Sequence, residues 1–175
     1  MDRDLVALRP LEESDVDDIL PWVNDPEIVG NIAAFSGEPF TREDELAYVR
    51  GVRASDADRV FSILASGNGR YLGQIGLHQI HRGSGVARLS CIIAARDDWG
   101  QGYGSAAIAR ILDHAFGPEQ LHKVWLMVFE RNVRARRTYG RLGFLTEGVL
   151  REEYRHEGTW HNMVRMGLLV HEWPR

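Results

Sequence analysis

Apolar residues recur along the chain in two spacings, which predict strands and helices. Short apolar or alternating runs predict seven strands, over residues 5–9, 60–65, 71–80, 86–95, 123–129, 145–154 and 159–169. Between the fourth and fifth strands, a run of apolar residues at i, i+3, i+4, i+7 and i+8 predicts a helix over residues 105–116 with one apolar face. Its members are Ile108, Ile111, Leu112, Ala115 and Phe116.

Polar residues mark the helices of the N-terminal third. Ser14 is predicted to cap a helix that Pro21 breaks or kinks, and a second short turn follows at residues 22–28. Thr41 is predicted to cap a further helix over residues 42–52. The stretch between the two helices, IAAFSGEPF, holds a glycine, a proline and two aromatic rings and is predicted to be a loop.

The order of the elements predicts the topology. The turns SGNGR and HRGSG join the second, third and fourth strands into an antiparallel meander. The fourth strand, the helix and the fifth strand make a β-α-β unit, in which the two strands are parallel. Asn132 then opens a helix over residues 133–142, which Gly143 ends. The predicted class is α+β, a mixed and mostly antiparallel sheet with helices on both faces, built as one domain over residues 1–175.

Composition and charge indicate which partners and which cellular location to expect. The hydrophobic fraction of 44% is typical of a globular protein, and the net charge of −4 favours neither nucleic acid nor an anionic membrane as a partner. It slightly favours a cationic substrate. The N-terminus lacks the apolar stretch of a signal peptide, and no run approaches the ~20 apolar residues of a membrane span, so a cytoplasmic location is expected. The single cysteine, Cys91, is interpreted as a small core residue.

A glycine-spaced turn between the fourth strand and its helix is the first functional signal. Residues 100–104 read GQGYG, and the helix starts at once behind them. Backbone N–H groups and the positive end of the helix dipole then point the same way, which predicts a bound diphosphate. The Walker A motif is absent, because Gly104 is followed by Ser-Ala-Ala, and the dinucleotide pattern fails because Ser105 stands at its third glycine.

Three segments, read together and in order, carry a family resemblance. WGQGYGSAA, FERNVRARRTYGRLGF and the tail EGVLREEYRHEGTWHNMVRMGLL resemble the GNAT superfamily of acyl-CoA-dependent N-acyltransferases. The front end, LRPLEESDVDDI with WVNDPEI, resembles its RimJ/RimL branch, which includes protein N-terminal and spermidine acetyltransferases. The resemblance implies a splayed parallel strand pair that holds acetyl-CoA as cosubstrate. A splayed pair leaves backbone groups unpaired, and the two amides of pantetheine can pair with them much as an added strand would.

The resemblance also implies which residues bind CoA. Asn132 would meet the pantetheine arm, and Arg137, with the neighbouring Arg134, Arg136 and Arg141, is available for phosphates, unless these arginines only form a solvated helix face. The residues implied to contact pantetheine through their backbone are Ile92, Ile93 and Ala94. Those implied to contact the pyrophosphate are Trp99, Gly100, Gln101, Gly102, Tyr103, Gly104 and Ser105.

Tyr139 is the candidate catalytic residue. It follows Asn132 by seven residues, close to two helical turns, so that both side chains can face the same groove. The resemblance assigns a tyrosine at this place as the general acid toward the CoA sulfur, and a phenol with a pKa near 10 stays protonated at neutral pH. The alternative is a core tyrosine that packs beside Leu142.

The sequence does not identify the general base that deprotonates the acceptor amine. Many family members carry a glutamate in the fourth strand where this chain has Arg88, and arginine cannot act as a base. The alternative in the family is a water chain that touches strand residues such as Ser90 or His78. Glu38 is a candidate to bind the acceptor amine. The alternative is that it is an ordinary exposed carboxylate in a loop. The seven histidines are scattered without metal-ligand spacing, so no metal site is predicted.

The leading hypothesis is an N-acetyltransferase that moves an acetyl group from acetyl-CoA to a primary amine by direct attack in a ternary complex. The acceptor is left open between a protein N-terminus, a polyamine and another small amine: Arg88 counts against a polyamine, while Glu38, Asp44 and Glu45 count for one. The missing strand glutamate motivates an alternative, an inactive acyl-CoA-binding sensor or structural protein. The family often forms dimers, and the apolar tail strands could support a homodimer.

Overall fold

A seven-stranded mixed sheet organises the computed structural model, which describes residues 2–32, 38–156 and 158–174. The strands are β1 (Val6–Pro10), β2 (Arg59–Ala65), β3 (Tyr71–His81), β4 (Val86–Ile93), β5 (Lys123–Phe129), β6 (Leu145–His156) and β7 (Thr159–Leu169). The α-helices are α1 (Val16–Val23), α2 (Pro26–Val29), α3 (Arg42–Ala54), α4 (Tyr103–Phe116) and α5 (Val133–Arg141). The strand order across the sheet is β1-β2-β3-β4-β5-β7-β6.

The predicted class and topology are confirmed. β2, β3 and β4 form an antiparallel meander, and within the described residues β4 and β5 are the one parallel pair, connected by α4. Two hydrophobic clusters cover the two faces of the sheet. One contains the apolar face of α4, and the other contains buried residues of α1, α2 and α3. The small side chains of Ala106, Ala107 and Ala109 are fully buried, which lets α4 pack closely on the sheet.

The start of α1 differs from the prediction. The predicted cap at Ser14 is wrong: residues 13–15 form a 3₁₀ turn, and Asp15 stands at the N-cap of a helix that begins at Val16. Of the two effects predicted for Pro21, the break is wrong, because α1 continues through it to Val23, and the kink stays a prediction. The short turn that was predicted next is α2, and the predicted loop falls partly on residues 33–37, outside the described residues.

Asp15 fails to cap the helix because its carboxylate is turned into the protein. It accepts hydrogen bonds from Arg9 at 2.5 Å, from the hydroxyl of Ser62 at 2.7 Å and from the backbone N–H of Glu12 at 2.9 Å. Burial alone would raise the pKa of this carboxyl, but these hydrogen bonds outweigh it and hold the pKa below its ordinary value. The buried carboxylate therefore joins β1, β2 and the start of α1.

Replacing Asp15 with alanine is expected to lower the free energy of unfolding by about 3 kcal/mol, because Arg9 and Ser62 lose a buried partner. Since the native pKa lies below the ordinary ~3.9, this contribution is present at neutral pH and is lost as the pH falls through the native value. Urea unfolding between pH 7 and pH 3 measures both effects. Asp17→Ala is the control, because the side chain of Asp17 is 73% exposed in its ion pair with Arg42. An equal loss in both variants would contradict the prediction.

Candidate active site

A cleft opens where the parallel strand pair separates. The β4–β5 ladder consists of the pairs Val86–Lys123, Ala87–Val124 and Arg88–Trp125. Beyond Arg88, β4 stays paired with β3, while β5 stays paired with β7 on its other side. The facing edges of the two strands therefore have no strand partner, and they border a cleft of about 860 Å³. An extended ligand that carries amide groups can pair with such edges.

Backbone N–H groups form an anion-binding cradle at the mouth of this cleft. Gly100 and Gly102 have positive φ angles of 81° and 91°, and α4 begins at the next residue, Tyr103. The N–H groups of residues 100 to 105 donate to no other group in the part of the chain that the structure describes. Unpaired donors at a helix N-terminus bind phosphate oxygens, so the cradle fits the diphosphate predicted from the sequence.

Most of the residues predicted to bind CoA line this cleft. They are Ile92, Ile93, Trp99, Gly100, Gly102, Gly104, Ser105, Asn132 and Arg137. Three of the predicted residues are not among the described residues that line the cleft: Ala94, Gln101 and Tyr103. The N–H of Ala94 already donates to the carbonyl of Leu72, at 2.8 Å, so it is not available to a ligand. Gln101 and Tyr103 contribute only their backbone N–H groups to the cradle.

Trp99 fastens the cradle to the end of β4. Its indole N–H donates to the carbonyl of Ile93 at 3.0 Å, so that carbonyl is engaged within the protein. The guanidinium of Arg134 lies over the indole ring, 3.9 Å from its centroid, and burial lowers the pKa of this arginine. Just before the cradle, Arg70 holds the carboxylate of Asp98 with two hydrogen bonds, of 2.9 and 2.7 Å. The turn is thus anchored by side chains rather than by a strand partner.

The four arginines of α5 separate into two groups. Arg134, Arg137 and Arg141 line the cleft. Arg136 lies outside the described lining and donates to the carbonyl of Glu130 at 3.1 Å. Arg134, Arg137 and Arg141 are also solvent-exposed, so they can meet a phosphate-bearing ligand at the cleft, and the alternative of a solvated helix face stays open for them.

Asn132 and Tyr139 lie on α5, as the sequence predicts, and both line the cleft. The side-chain oxygen of Asn132 caps the helix by accepting the N–H of Ala135 at 3.1 Å. The ring of Tyr139 packs edge-on against Phe144 with 5.8 Å between centroids, and its hydroxyl contacts no hydrogen-bonding group among the described residues. Burial, together with the neighbouring Cys91, raises the pKa of Tyr139, so its hydroxyl keeps its proton at neutral pH.

Cys91 is a cleft residue that the sequence interpretation did not identify. It packs against the core, but it also lines the cleft. Burial raises the pKa of its thiol to about 12, so the sulfur is protonated and is not a nucleophile at neutral pH. Strand alternation places it on the same face of β4 as Leu89.

On the other face of β4, Arg88 and Ser90 line the cleft. The Nε–H of Arg88 is buried and has no hydrogen-bond partner among the described residues. The hydroxyl of Ser90 lies 2.8 Å from Nε2 of His78, and Nδ1 of the same ring lies 2.9 Å from Oδ1 of Asp58. Asp58, His78 and Ser90 lie too far apart in the sequence for a motif to connect them.

The carboxylates considered for the amine end lie elsewhere. Glu38 is exposed and is not among the described residues that line the cleft. Asp44 is engaged in the capping box of α3 with Thr41, and Glu45 is buried. Glu153 on β6, which the sequence interpretation did not consider, does line the cleft.

The described residues offer neither a metal site nor a membrane-spanning helix. Residues 2–32, 38–156 and 158–174 contain no group of three or more His, Cys, Asp or Glu side chains placed to hold a metal ion. Within the same ranges, no helix has the length and apolar character needed to cross a membrane.

Comparison with known proteins gives a consistent set of relatives. The family model described as "Acetyltransferase (GNAT) domain" matches residues 6–145. A spermidine N(1)-acetyltransferase of Vibrio cholerae is 30% identical over 165 residues, which are 94% of this chain and 92% of the relative. A Bacillus subtilis protein with the provisional name of ribosomal N-acetyltransferase YdaF is 30% identical over 106 residues, 61% of this chain and 57% of its own.

A solved structure matches the whole fold. It is the spermidine N-acetyltransferase of Vibrio cholerae in complex with CoA and spermine, with a TM-score of 0.87 and 27% sequence identity. The match covers 96% of this chain and 97% of the other. The fold is thus shared with an enzyme whose solved structure contains CoA.

Proposed function

The chain belongs to the GNAT acetyltransferase family, and we propose that residues 1–175 form one domain that transfers the acetyl group of acetyl-CoA to a primary amine within a ternary complex. The observation that carries the proposal is the gap between β4 and β5, which has unpaired strand edges along its walls and unpaired N–H donors at its mouth. Pantetheine amides and a diphosphate are the groups that complement these two features.

Each part of the cleft has a task in this reaction. The N–H groups of residues 100–105 and the arginines of α5 bind phosphate, and the edges of β4 and β5 orient the arm that carries the thioester. N–H groups on a strand edge can also polarise the thioester carbonyl. Tyr139 holds a proton on its hydroxyl, and we propose that it delivers this proton to the departing sulfur.

The reaction itself is tested by thiol release. Acetyl-CoA is mixed with the protein and a panel of amines that contains spermidine, a peptide with a free N-terminus and an amino sugar. Thiol release with at least one amine supports the proposal, and CoA binding without turnover on any amine would favour the inactive sensor instead. Thermal shifts with acetyl-CoA and with NAD test the cosubstrate, because a ligand that binds only the native state raises Tm.

For the acceptor, the charges in the cleft favour a monoamine such as a peptide N-terminus. Arg88 contributes a positive charge beside Ser90, and the carboxylate of Asp98 is neutralised by Arg70. Only Glu153 supplies an unpaired negative charge among the described lining residues. One relative is named for spermidine and another for a ribosomal acceptor, so the panel of amines includes both classes of acceptor. Cytoplasmic location and a homodimer stay predictions.

Replacing Arg88 with glutamate is expected to raise the preference for spermidine over the peptide about 10-fold, measured as the ratio of the two kcat/KM values. A reversed charge some 6 Å from a second ammonium group changes the interaction by about 1.4 kcal/mol even at the dielectric constant of bulk water, which corresponds to about 10-fold. Arg151→Glu is the matched control, because Arg151 is exposed and is not one of the described lining residues. The same change of preference in both variants would contradict a local effect of Arg88.

A further inference from the structure

Three polar side chains on one face of the sheet form a hydrogen-bonded chain that ends in the cleft. Ser90 lines the cleft, its hydroxyl meets Nε2 of His78 at 2.8 Å, and Nδ1 of His78 meets the carboxylate of Asp58 at 2.9 Å. The side chain of His78 is only 13% exposed and is not among the described lining residues. Ser90 is therefore the route by which the imidazole reaches the cleft.

The hydrogen-bond pattern determines where the protons sit. Burial would raise the pKa of Asp58, but hydrogen bonds from Ser55, His78 and the N–H of Gln79 outweigh it, so the pKa is lowered and the carboxyl is ionised. An ionised carboxylate can only accept, so Nδ1 of His78 must carry a hydrogen. In the neutral ring Nε2 is then bare, and it accepts the hydroxyl hydrogen of Ser90.

The backbone around His78 makes room for this arrangement. Gly76 lies directly across from Ser90 in the β3–β4 register, and a Cβ at Gly76 would come within 2.7 Å of Nε2 of His78. The imidazole therefore occupies the space that a side chain at this position would fill. A bulge in β3 follows His78, with Gln79 at a positive φ of 53°, and the N–H of Gln79 donates to Asp58.

We propose that Ser90 and His78, oriented by Asp58, form the proton relay that deprotonates the acceptor amine, an inference that rests on the acetyl transfer proposed above. The ammonium gives one proton to the oxygen of Ser90 while the hydroxyl of Ser90 gives its own to Nε2 of His78. The neutral amine then forms the C–N bond and the C–S bond breaks. Tyr139 protonates the sulfur and regains a proton from the new amide nitrogen, and His78 returns the first proton to solvent.

The charged groups around His78 suit it to this role. Burial lowers the pKa of the imidazole and so does the charge of Arg88 on β4, while Asp58 raises it, and the net effect is a lowered pKa. The phenol of Tyr48 on α3 faces the same group of charges; the residue is 39% exposed, and partial desolvation raises its pKa to about 12, so it is neutral. His78 therefore starts in the neutral form that can accept a proton, and Arg88 stands beside the base rather than in place of one.

Kinetics against pH test the relay. At pH 7, His78→Gln is expected to lower kcat/KM about 100-fold, while kcat/KM in the variant rises with pH across the whole range toward the pKa of the amine. In the wild type, kcat/KM falls only below the pKa of His78. His81→Gln, an exposed histidine on the same strand, is the control and should keep the wild-type profile. A His78→Gln variant with the wild-type profile would overturn the relay and leave the acetyltransferase activity standing.

Variants at the other two positions separate proton transfer from structural support. Ser90→Ala is expected to behave like His78→Gln, whereas Ser90→Thr, which keeps the hydroxyl, restores most of the rate. Asp58→Asn should move the acid limb to lower pH, because it removes the group that raises the pKa of His78. Equal activity in the alanine and threonine variants, or an acetyl group found on Ser90 by mass spectrometry, would overturn the relay.

A measurement on the wild-type protein keeps the test independent of turnover. The ¹⁵N shifts of the His78 ring are expected to report the neutral form with hydrogen on Nδ1, and Asp58→Asn should change that tautomer distribution. A neutral ring with hydrogen on Nε2 would overturn the relay whatever the activity. If the wild type acetylates no amine and yet shows the expected tautomer, the proposed function fails rather than the hydrogen-bond chain.

Discussion

Tyr139→Phe is expected to lower kcat for amine acetylation about 1,000-fold and to leave the Kd for CoA nearly unchanged. The variant loses only the hydroxyl, and the edge-on contact of the ring with Phe144 is kept. Without a proton donor, the sulfur must leave as a thiolate in a cleft where burial disfavours charge, as the raised pKa values of Tyr139 and Cys91 indicate. Steady-state thiol release at saturating substrate measures kcat, and calorimetry with CoA measures Kd.

Tyr71→Phe provides the matched control for this variant. The hydroxyl of Tyr71 is buried beside the side chains of Trp22 and Gln74, and the residue is not among the described residues that line the cleft. Its removal should therefore leave kcat unchanged. Wild-type kcat in Tyr139→Phe would exclude Tyr139 as the proton donor, and an equal loss in both variants would point to a general effect of removing a buried hydroxyl.

Gly102→Val is expected to raise the Kd for CoA about 100-fold or more. A β-branched residue at a φ of 91° is strongly strained, at a cost of about 1–3 kcal/mol, and relief of this strain rotates the neighbouring N–H groups away from the phosphate oxygens. Each hydrogen bond to a charged group that is lost weakens binding by a further ~1.5–3 kcal/mol. Calorimetric titration with CoA measures the effect.

Gly51→Val is the control for that experiment. Gly51 lies on α3, a Cβ there would meet no atom within 4 Å, and its φ is not in the positive region. Wild-type affinity is expected. Unfolding of both variants without ligand shows whether the loss of affinity in Gly102→Val arises from the cradle or from global destabilisation. An unchanged Kd in Gly102→Val would contradict the role of the turn in diphosphate binding.

Local signals in the sequence predicted much of the fold. The nearly unbroken apolar run of residues 123–129 is β5 with the predicted bounds, and one face of this strand is buried while the other is half-buried. Thr41 and Asn132 cap their helices as predicted, since their partners lie within three residues. Ser14 failed as a cap because it lies inside the 3₁₀ turn of residues 13–15, which Asp15 closes by accepting the N–H of Glu12, so that the helix starts one residue later.

The sequence pointed to Ser90 and His78 only as neighbours of a water chain implied by the family resemblance, and it gave no sign of Asp58 or of the hydrogen bonds that join the three. Asp58, His78 and Ser90 are brought together by strand register and by the open space at Gly76, and neither has a local signature. The sequence did identify Arg88 as a departure from the pattern of the family. What it could not show is that a neutral imidazole lies next to this arginine, on the neighbouring strand.

The short β4–β5 ladder has a consequence for how the cosubstrate enters. β3 holds β4 as far as Ile93, and β7 holds β5 as far as Phe129, so each strand is kept in position from its outer side. The gap is therefore built into the strand pairing itself, and a ligand that fills it need not separate paired strands. Binding completes an interrupted sheet instead of disturbing a finished one, which is preorganisation achieved through strand topology alone.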